Sequence, residues 1–164
     1  MKLAPAAMFC PLEAMKPTMK IEKAQQRHLN AITKLALQLW PAHDYEELRQ
    51  EMGETLSQPD AAFFLACDGE TPVGFAQCQL RRDYVEGTEN SPVGYLEGIF
   101  VAEDYRRRGI ARALLRACEN WSKEQGCSEF ASDCELTNTE SLMFHLKLGF
   151  LEANRIICFT KKLQ

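Results

Sequence analysis

Residues 93–121 constrain the fold more than any other stretch of the chain. VGYLEGIFV (93–101) is a nearly continuous apolar run of strand length, and a helical pattern from Ile110 puts Leu114, Leu115, Cys118 and Trp121 on one face. Between them stand Arg106, Arg107, Arg108 and Gly109. A strand joined through a tight turn to a one-sided helix calls for a sheet with helices packed on it. The first N–H groups of a helix lack partners and carry the positive end of its dipole. An anion placed there satisfies them. Gly109 lets such an anion approach the backbone, Ala111 keeps the next turn small, and the arginines add charge-assisted bonds from the rim. The same residues also read as a solvated arginine cluster ahead of an ordinary helix.

Around this unit the chain alternates helices and strands. Met19 to Glu22 reads as a short strand, and Leu29, Ile32, Leu35, Ala36 and Leu39 mark a helix from Gln25 to Trp40, stopped by Pro41. A charged helix over Tyr45 to Leu56 follows. Ala61 to Cys67 and Val73 to Arg82 read as a hairpin across Asp68-Gly69-Glu70. The helix from Ile110 to Gln125 is capped by Gly126, Glu129 to Asp133 is a strand, and Thr139 to Leu148 is a helix closed by Gly149. One or two final strands are expected within Phe150 to Lys162. The order predicts an α/β (α+β) domain with a mixed sheet over residues 19–164, preceded by a loose extension over residues 1–18.

Several function classes are disfavoured. With 19 Lys+Arg against 23 Asp+Glu the net charge is -4, which argues against nucleic-acid binding and suits a cationic small molecule. The 7 cysteines are dispersed, with no C-x-x-C pair and no histidine at zinc spacing, so they read as reduced thiols and no metal is expected. No apolar run is long enough to cross a membrane, the opening residues make a poor signal peptide, and a cytoplasmic location is expected. Neither G-x-x-x-x-G-K-[ST] nor G-x-G-x-x-G is present.

Two carboxylates stand out. Glu97 interrupts an apolar strand, where a charge costs free energy unless it is paired or faces a cavity; the bland reading is a glutamate turned to solvent. Gly98 beside it marks a bulge or a close approach by another backbone. Asp133 ends the next strand, either at a ligand site or as a turn former.

The pattern R-x-x-G-x-A (Arg106 to Ala111) after an apolar strand, Asn138 downstream, and FHLKLGF (144–150) together resemble the Gcn5-related N-acetyltransferase superfamily. LWPAHD (39–44), RRDYVEG (81–87), YLEGIFV (95–101) and ASD (131–133) are similar to its aminoglycoside 6'-N-acetyltransferases. The resemblance implies the acyl-CoA N-acyltransferase fold, with parallel central strands that splay apart. It implies acetyl-coenzyme A as co-substrate, bound by Ile99, Phe100, Val101, Arg106, Arg107, Arg108, Gly109, Ile110, Ala111, Arg112 and Asn138. The acceptor would be an aminoglycoside 6'-amine contacted by Trp40, His43, Tyr84, Glu97, Asp133 and Asn154, the last standing where relatives are expected to carry an acid. Asn138 also reads as a helix N-cap.

An amine must lose a proton before attacking a thioester. Glu97 is the candidate base, directly or through a water, with Asp133 orienting the amine. His145, where many superfamily members have tyrosine, is the candidate acid, or a packed polar residue of its helix. Direct attack in a ternary complex is expected, and Cys134 is the one residue placed to carry an acyl group instead. Another small amine, a polyamine or a peptide N-terminus are alternative acceptors, and a non-catalytic acyl-coenzyme-A-binding module is an alternative of another class. The resemblance also implies a homodimer joined through the C-terminal segment.

Overall fold

The strand at the centre of the sequence argument is the strand around which the site is built. In a computed structural model describing residues 19–163, five strands form one sheet in the order β1 (Met19–Lys23), β2 (Ala61–Asp68), β3 (Thr71–Arg81), β4 (Val93–Val101), β5 (Phe130–Ser132). β1 through β4 are antiparallel neighbours, and β5 runs parallel to β4 at the edge. The expected extension over residues 1–18 lies outside the described residues.

Both sheet faces are covered, which explains why β2 is buried along almost its whole length. Ala62, Phe64 and Ala66 turn to one side, where α3 (Ile110–Glu124) contributes Leu114, Leu115, Cys118 and Trp121. Phe63, Leu65 and Cys67 turn to the other, against α1 (Leu29–Leu39) and α2 (Tyr45–Leu56). This is the period-2 division of a strand sandwiched between helical layers. Asp44 caps α2 by accepting from the N–H groups of Glu46 and Glu47. The β2–β3 hairpin closes over Gly69-Glu70, with Gly69 at φ 60.

Two features of β4 make it more than a structural strand. Gln77 pairs with Gly98 and Cys78 with Leu96, so Glu97 is the extra residue of a β-bulge. The parallel ladder to β5 holds only from Gly94–Phe130 to Leu96–Ser132. Beyond it the strands part, and from Glu97 to Val101 the β5 side of β4 has no strand partner among the described residues. The expected splay is present, and the expected Glu97 and Asp133 are the first residues past the last rung.

The C-terminal expectation fails. α4 (Thr139–Leu148) forms as read, ending at Gly149 with φ 97, but residues 150–163 make no strand. They run in extended, exposed chain, with Leu151 91% and Phe159 89% exposed. A strand needs a partner for its N–H and C=O groups, and among the described residues this segment pairs with no strand. The α/β class stands; the final strands do not.

Candidate active site

The turn between β4 and α3 is shaped by two left-handed residues. Arg107 has φ 61, the one positive φ on a non-glycine among the described residues, and Gly109 has φ 78. A non-glycine there costs of order 1–3 kcal/mol and marks a backbone held for a purpose. The turn is pinned by Arg106, whose Nε donates to Val101 O at 3.0 Å and whose guanidinium faces Phe100. Arg108 lies over Tyr105, and Arg112 donates to Lys147 O. Ala113 is the residue whose N–H bonds back to Gly109 O, at 3.1 Å, which leaves the amides of Ile110, Ala111 and Arg112 as the helix's unpaired donors. A Cβ on Gly109 would meet nothing within 4 Å. The arrangement is an open, donor-rich concavity of the kind that receives phosphate.

Glu97 is half-buried, and its carboxylate is gripped by Arg81 from the end of β3. Nη2 of Arg81 donates to both oxygens, at 3.0 and 2.9 Å, and Nε donates to Oε1 at 3.2 Å. The Arg81 guanidinium lies flat against the ring of Tyr95, 3.3 Å from its centre, and the Tyr95 hydroxyl donates to Asp133 Oδ1. Burial and the Asp133 carboxylate push the Tyr95 phenol far above its ordinary range. Neither Arg81 nor Tyr95 was a candidate from sequence. Tyr95 alternates with Glu97 along β4, but only the hairpin register brings Arg81 to both.

His145, on α4, has both ring nitrogens engaged. Nδ1 lies 2.7 Å from Ser141 O, which can only accept, so Nδ1 carries a proton. Nε2 lies 2.9 Å from Ser132 Oγ, whose single proton can go either to Nε2 or to Leu96 O, 3.2 Å away on the last rung before the splay. Asn138 caps α4, its Oδ1 accepting from Ser141 N at 3.0 Å, which leaves its NH2 group for another partner.

Tyr84, Asp133, His145 and Asn154 line one open cleft of about 950 Å³, together with Arg81 and Cys134. Six carboxylates (Glu86, Glu119, Glu129, Asp133, Glu135, Glu152) face two arginines there, so the cleft attracts cations. Tyr84 is 81% exposed and donates to Glu86 Oε2, while Asn154 donates to Glu86 Oε1. These bonds hold the Glu86 carboxyl below its usual range and raise the Tyr84 phenol. Glu86, which the sequence did not single out, thus stands where the cleft meets Asn154. Trp40, His43 and Glu97 do not line this cleft; Glu97 reaches it only through Arg81, which does. Trp40 covers Gly98, where an added Cβ would come within 2.8 Å of its ring, and His43 stands 6.4 Å from that ring, centre to centre. The bulge expected at Gly98 is therefore present, but what approaches it closely is the Trp40 side chain and not another backbone.

The acetyltransferase (GNAT) family model matches residues 26–150. An aminoglycoside N(6')-acetyltransferase type 1 from Serratia marcescens is 44% identical over 83% of this chain and 94% of its own. One from Stenotrophomonas maltophilia is 41% identical over 92% and 97%. Among solved structures, AAC(6')-Iy bound to the bisubstrate analogue CoA-S-monomethyl-acetylneamine is 38% identical, with TM-score 0.85 over 89% of this chain and 99% of that one. AAC(6')-Iy in complex with CoA superposes with TM-score 0.88 over 93% and 100%.

Proposed function

The chain belongs to the acetyltransferase (GNAT) family, and from that premise we propose that it is an acetyl-coenzyme-A-dependent enzyme acetylating the 6'-amine of aminoglycosides, conferring resistance to them. The observation that carries this reading is the break in the β4–β5 ladder just past Leu96–Ser132, with Glu97 and Asp133 flanking it beside an acidic cleft. Curated relatives of about 40% identity carry that activity in their names.

The donor-rich turn fits a coenzyme with a pyrophosphate. Ile110, Ala111 and Arg112 offer backbone N–H groups, and Arg106, Arg107 and Arg108 bracket them. The unpaired side of Ile99, Phe100 and Val101 offers main-chain groups to an extended arm, and the NH2 of Asn138 offers another donor. When bound, acetyl-coenzyme A supplies the activated acyl group. Glu97 takes the proton from the acceptor ammonium, directly or through one water, and Asp133 orients the amine. With a proton also on Nε2, His145 can hand one through the Ser132 hydroxyl to the coenzyme A thiolate that leaves; without it the thiolate takes its proton from water. An N–H near Ile99 faces developing negative charge. Trp40, His43, Tyr84 and Asn154 contact the acceptor from the two sides of β4, and attack is direct, with no acyl group on Cys134.

The enzyme acts as a single domain over residues 19–164 in the cytoplasm; no helix among the described residues is long and apolar enough to cross a membrane. It works as a homodimer. Of the ten exposed large apolar residues among those described, eight lie at or beyond Leu136, on α4, its leading loop and the tail. So large an unpartnered apolar surface favours a second copy. Removing residues 155–163 should convert a dimer to a monomer in light scattering; a monomeric intact protein overturns this part.

The activity test follows free-thiol release from acetyl-coenzyme A with tobramycin, a matched aminoglycoside bearing a 6'-hydroxyl, spermidine or a short peptide. Release with tobramycin and not its 6'-hydroxyl counterpart is expected, falling about a hundredfold to ten-thousandfold in Glu97→Gln. Release confined to spermidine or peptide rejects the acceptor assignment, and coenzyme binding without turnover rejects the enzyme.

A further inference from the structure

Arg81 has no part in the scheme above, yet it is the most tightly held group beside Glu97. A carboxylate has about four lone-pair sites. Arg81 takes two on Oε1, through Nε and Nη2, and one on Oε2. One site on Oε2 remains. The guanidinium cannot turn to change this, because one of its faces is stacked on Tyr95, a ring only 6% exposed. Tyr95 is fixed in turn by its hydroxyl bond to Asp133. Four side chains from β3, β4 and the end of β5 therefore form one continuous network joining the two carboxylates that flank the splay.

Two roles for the arginine differ in what happens when a cationic acceptor arrives. In one, it is a resident counter-ion that the incoming ammonium displaces from Glu97. Displacement would break three charge-assisted hydrogen bonds and a stacking contact together, for the sake of a single ammonium contact. The ion pair's Coulomb energy is modest, since the Arg81 side chain is 42% exposed and the charge is screened. Its geometry is not weakened by screening, and geometry is what a proton transfer needs.

We propose that Arg81 is a positioning residue for Glu97: backed by Tyr95, it fills three of the carboxylate's four acceptor sites and leaves one, on Oε2, to take a single proton from the acceptor amine. The arginine stays in place through turnover. Tyr95 carries the same orientation to Asp133, so the base and the orienting carboxylate are set by one unit. The inference rests on the role given to Glu97 above.

Kinetics and a direct view of the arginine test it together. Arg81→Lys keeps the charge and loses the fork; Arg81→Gln loses both. Both should lower kcat about ten- to a hundredfold while the acceptor KM stays within about threefold, as expected of misplacement rather than lost binding. Guanidinium ion added to Arg81→Ala should restore part of the rate. In nuclear magnetic resonance spectra of the unmodified protein, the Arg81 Nε–H signal should exchange slowly with water and persist when coenzyme A and tobramycin are added. A lower acceptor KM with unchanged kcat in Arg81→Gln, or loss of the Nε–H signal on adding tobramycin, would make Arg81 a displaced cation and overturn the proposal. Wild-type kcat in Arg81→Lys would overturn it as well. Should the unmodified protein turn over no aminoglycoside, the functional reading fails by itself. The Nε–H exchange rate still decides the fork, since exchange as fast as free arginine refutes it. Melting curves accompany each variant, and Arg81→Lys carries the kinetic test if Arg81→Gln does not fold.

Discussion

Gly98→Ala is a one-carbon test of how the bulge is built. A Cβ at this position would lie 2.8 Å from both Cη2 and Cζ2 of Trp40 and 3.3 Å from Leu39 Cδ2. Carbon atoms rest at about 3.5–4.0 Å, so the indole has to retreat by roughly 0.7 Å. It is not free to do so, because it packs edge-on against Phe75, 6.1 Å away between centroids and fully buried. Overpacking of this kind costs about 1–3 kcal/mol. Alanine returns about 0.5–1 kcal/mol of that, because glycine loses more backbone freedom in a strand. The net loss should be about 1–2 kcal/mol, which lowers Tm by about 2–8 °C for a chain of this size. The decisive comparison is the double-mutant cycle with Trp40→Leu, followed by thermal and urea denaturation. With the indole gone the same methyl meets only leucine, and Gly98→Ala should become neutral or stabilising by about 0.5 kcal/mol. An equal loss in both backgrounds would show that the glycine answers to the bulge conformation and not to Trp40, and the packing argument would be wrong.

Other positions separate roles that the sequence left together. Asn138→Ala removes the α4 cap and should cost about 1 kcal/mol, whereas Asn138→Asp keeps the accepting oxygen and loses only the NH2 group. A raised KM for acetyl-coenzyme A with unchanged Tm in Asn138→Asp supports the coenzyme contact; unchanged kinetics reject it. Gly94→Ala places a Cβ 2.6 Å from Phe130 Cδ2 and against Ser122 Oγ, at the junction of β4, β5 and α3. It should destabilise by about 3 kcal/mol, and a Tm within about 2 °C of the unmodified protein would contradict the junction as described. Tyr95, raised by burial and Asp133, should be the last tyrosine to ionise in an ultraviolet titration. A phenol whose folded pKa is raised contributes stability that is complete below its unfolded value, near 10, and is lost as pH rises beyond it. Tyr95→Phe should therefore flatten the alkaline fall in stability, and an unaltered slope counts against the Asp133 bond.

Much of this architecture was legible because local pattern and tertiary role agree. β4 and α4 begin and end where the apolar runs, caps and glycines put them. The splay itself was implied by the family resemblance; the charge and the glycine inside an apolar strand only marked where an explanation was needed. What stayed hidden depends on register. Arg81 and Glu97 are 16 residues apart, and nothing in RRDYVEG distinguishes an arginine aimed back along a hairpin from one in a covering loop. The bulge makes the prediction harder still, since one inserted residue decides which side chain faces Arg81. The C-terminal strands failed for another reason. RIICFTKKL (155–163) has the composition of a strand, but a strand exists only with a partner, and a sequence does not say whether that partner belongs to the same chain.

The chain's charge looks contradictory until it is divided along β4. At one end of the unpaired stretch lie Glu97, Asp133 and, beside them, the carboxylates of the cleft; at the other lie Arg106, Arg107, Arg108 and the free N–H groups of α3. A mildly acidic protein would scatter its arginines if they served only solubility. Here a donor-rich turn suited to an anion and a cleft suited to a cation are separated by the few residues, Glu97 to Val101, in which β4 has lost its parallel partner. Two substrates of opposite charge could each enter at its own end and meet at the gap. Neither end would attract the other's ligand, because each field repels it. Two arginines test the division from inside the acidic end: Arg155, paired with Glu152 on the tail, and Arg81 beside Glu97. The position of Arg81, with three bonds to Glu97, makes sense if its task is geometric. Reversing the field at the cleft, for example by Glu86→Lys, should therefore raise the acceptor KM and leave that of acetyl-coenzyme A unchanged. A change confined to the coenzyme KM would show that the two ends are not electrostatically separate.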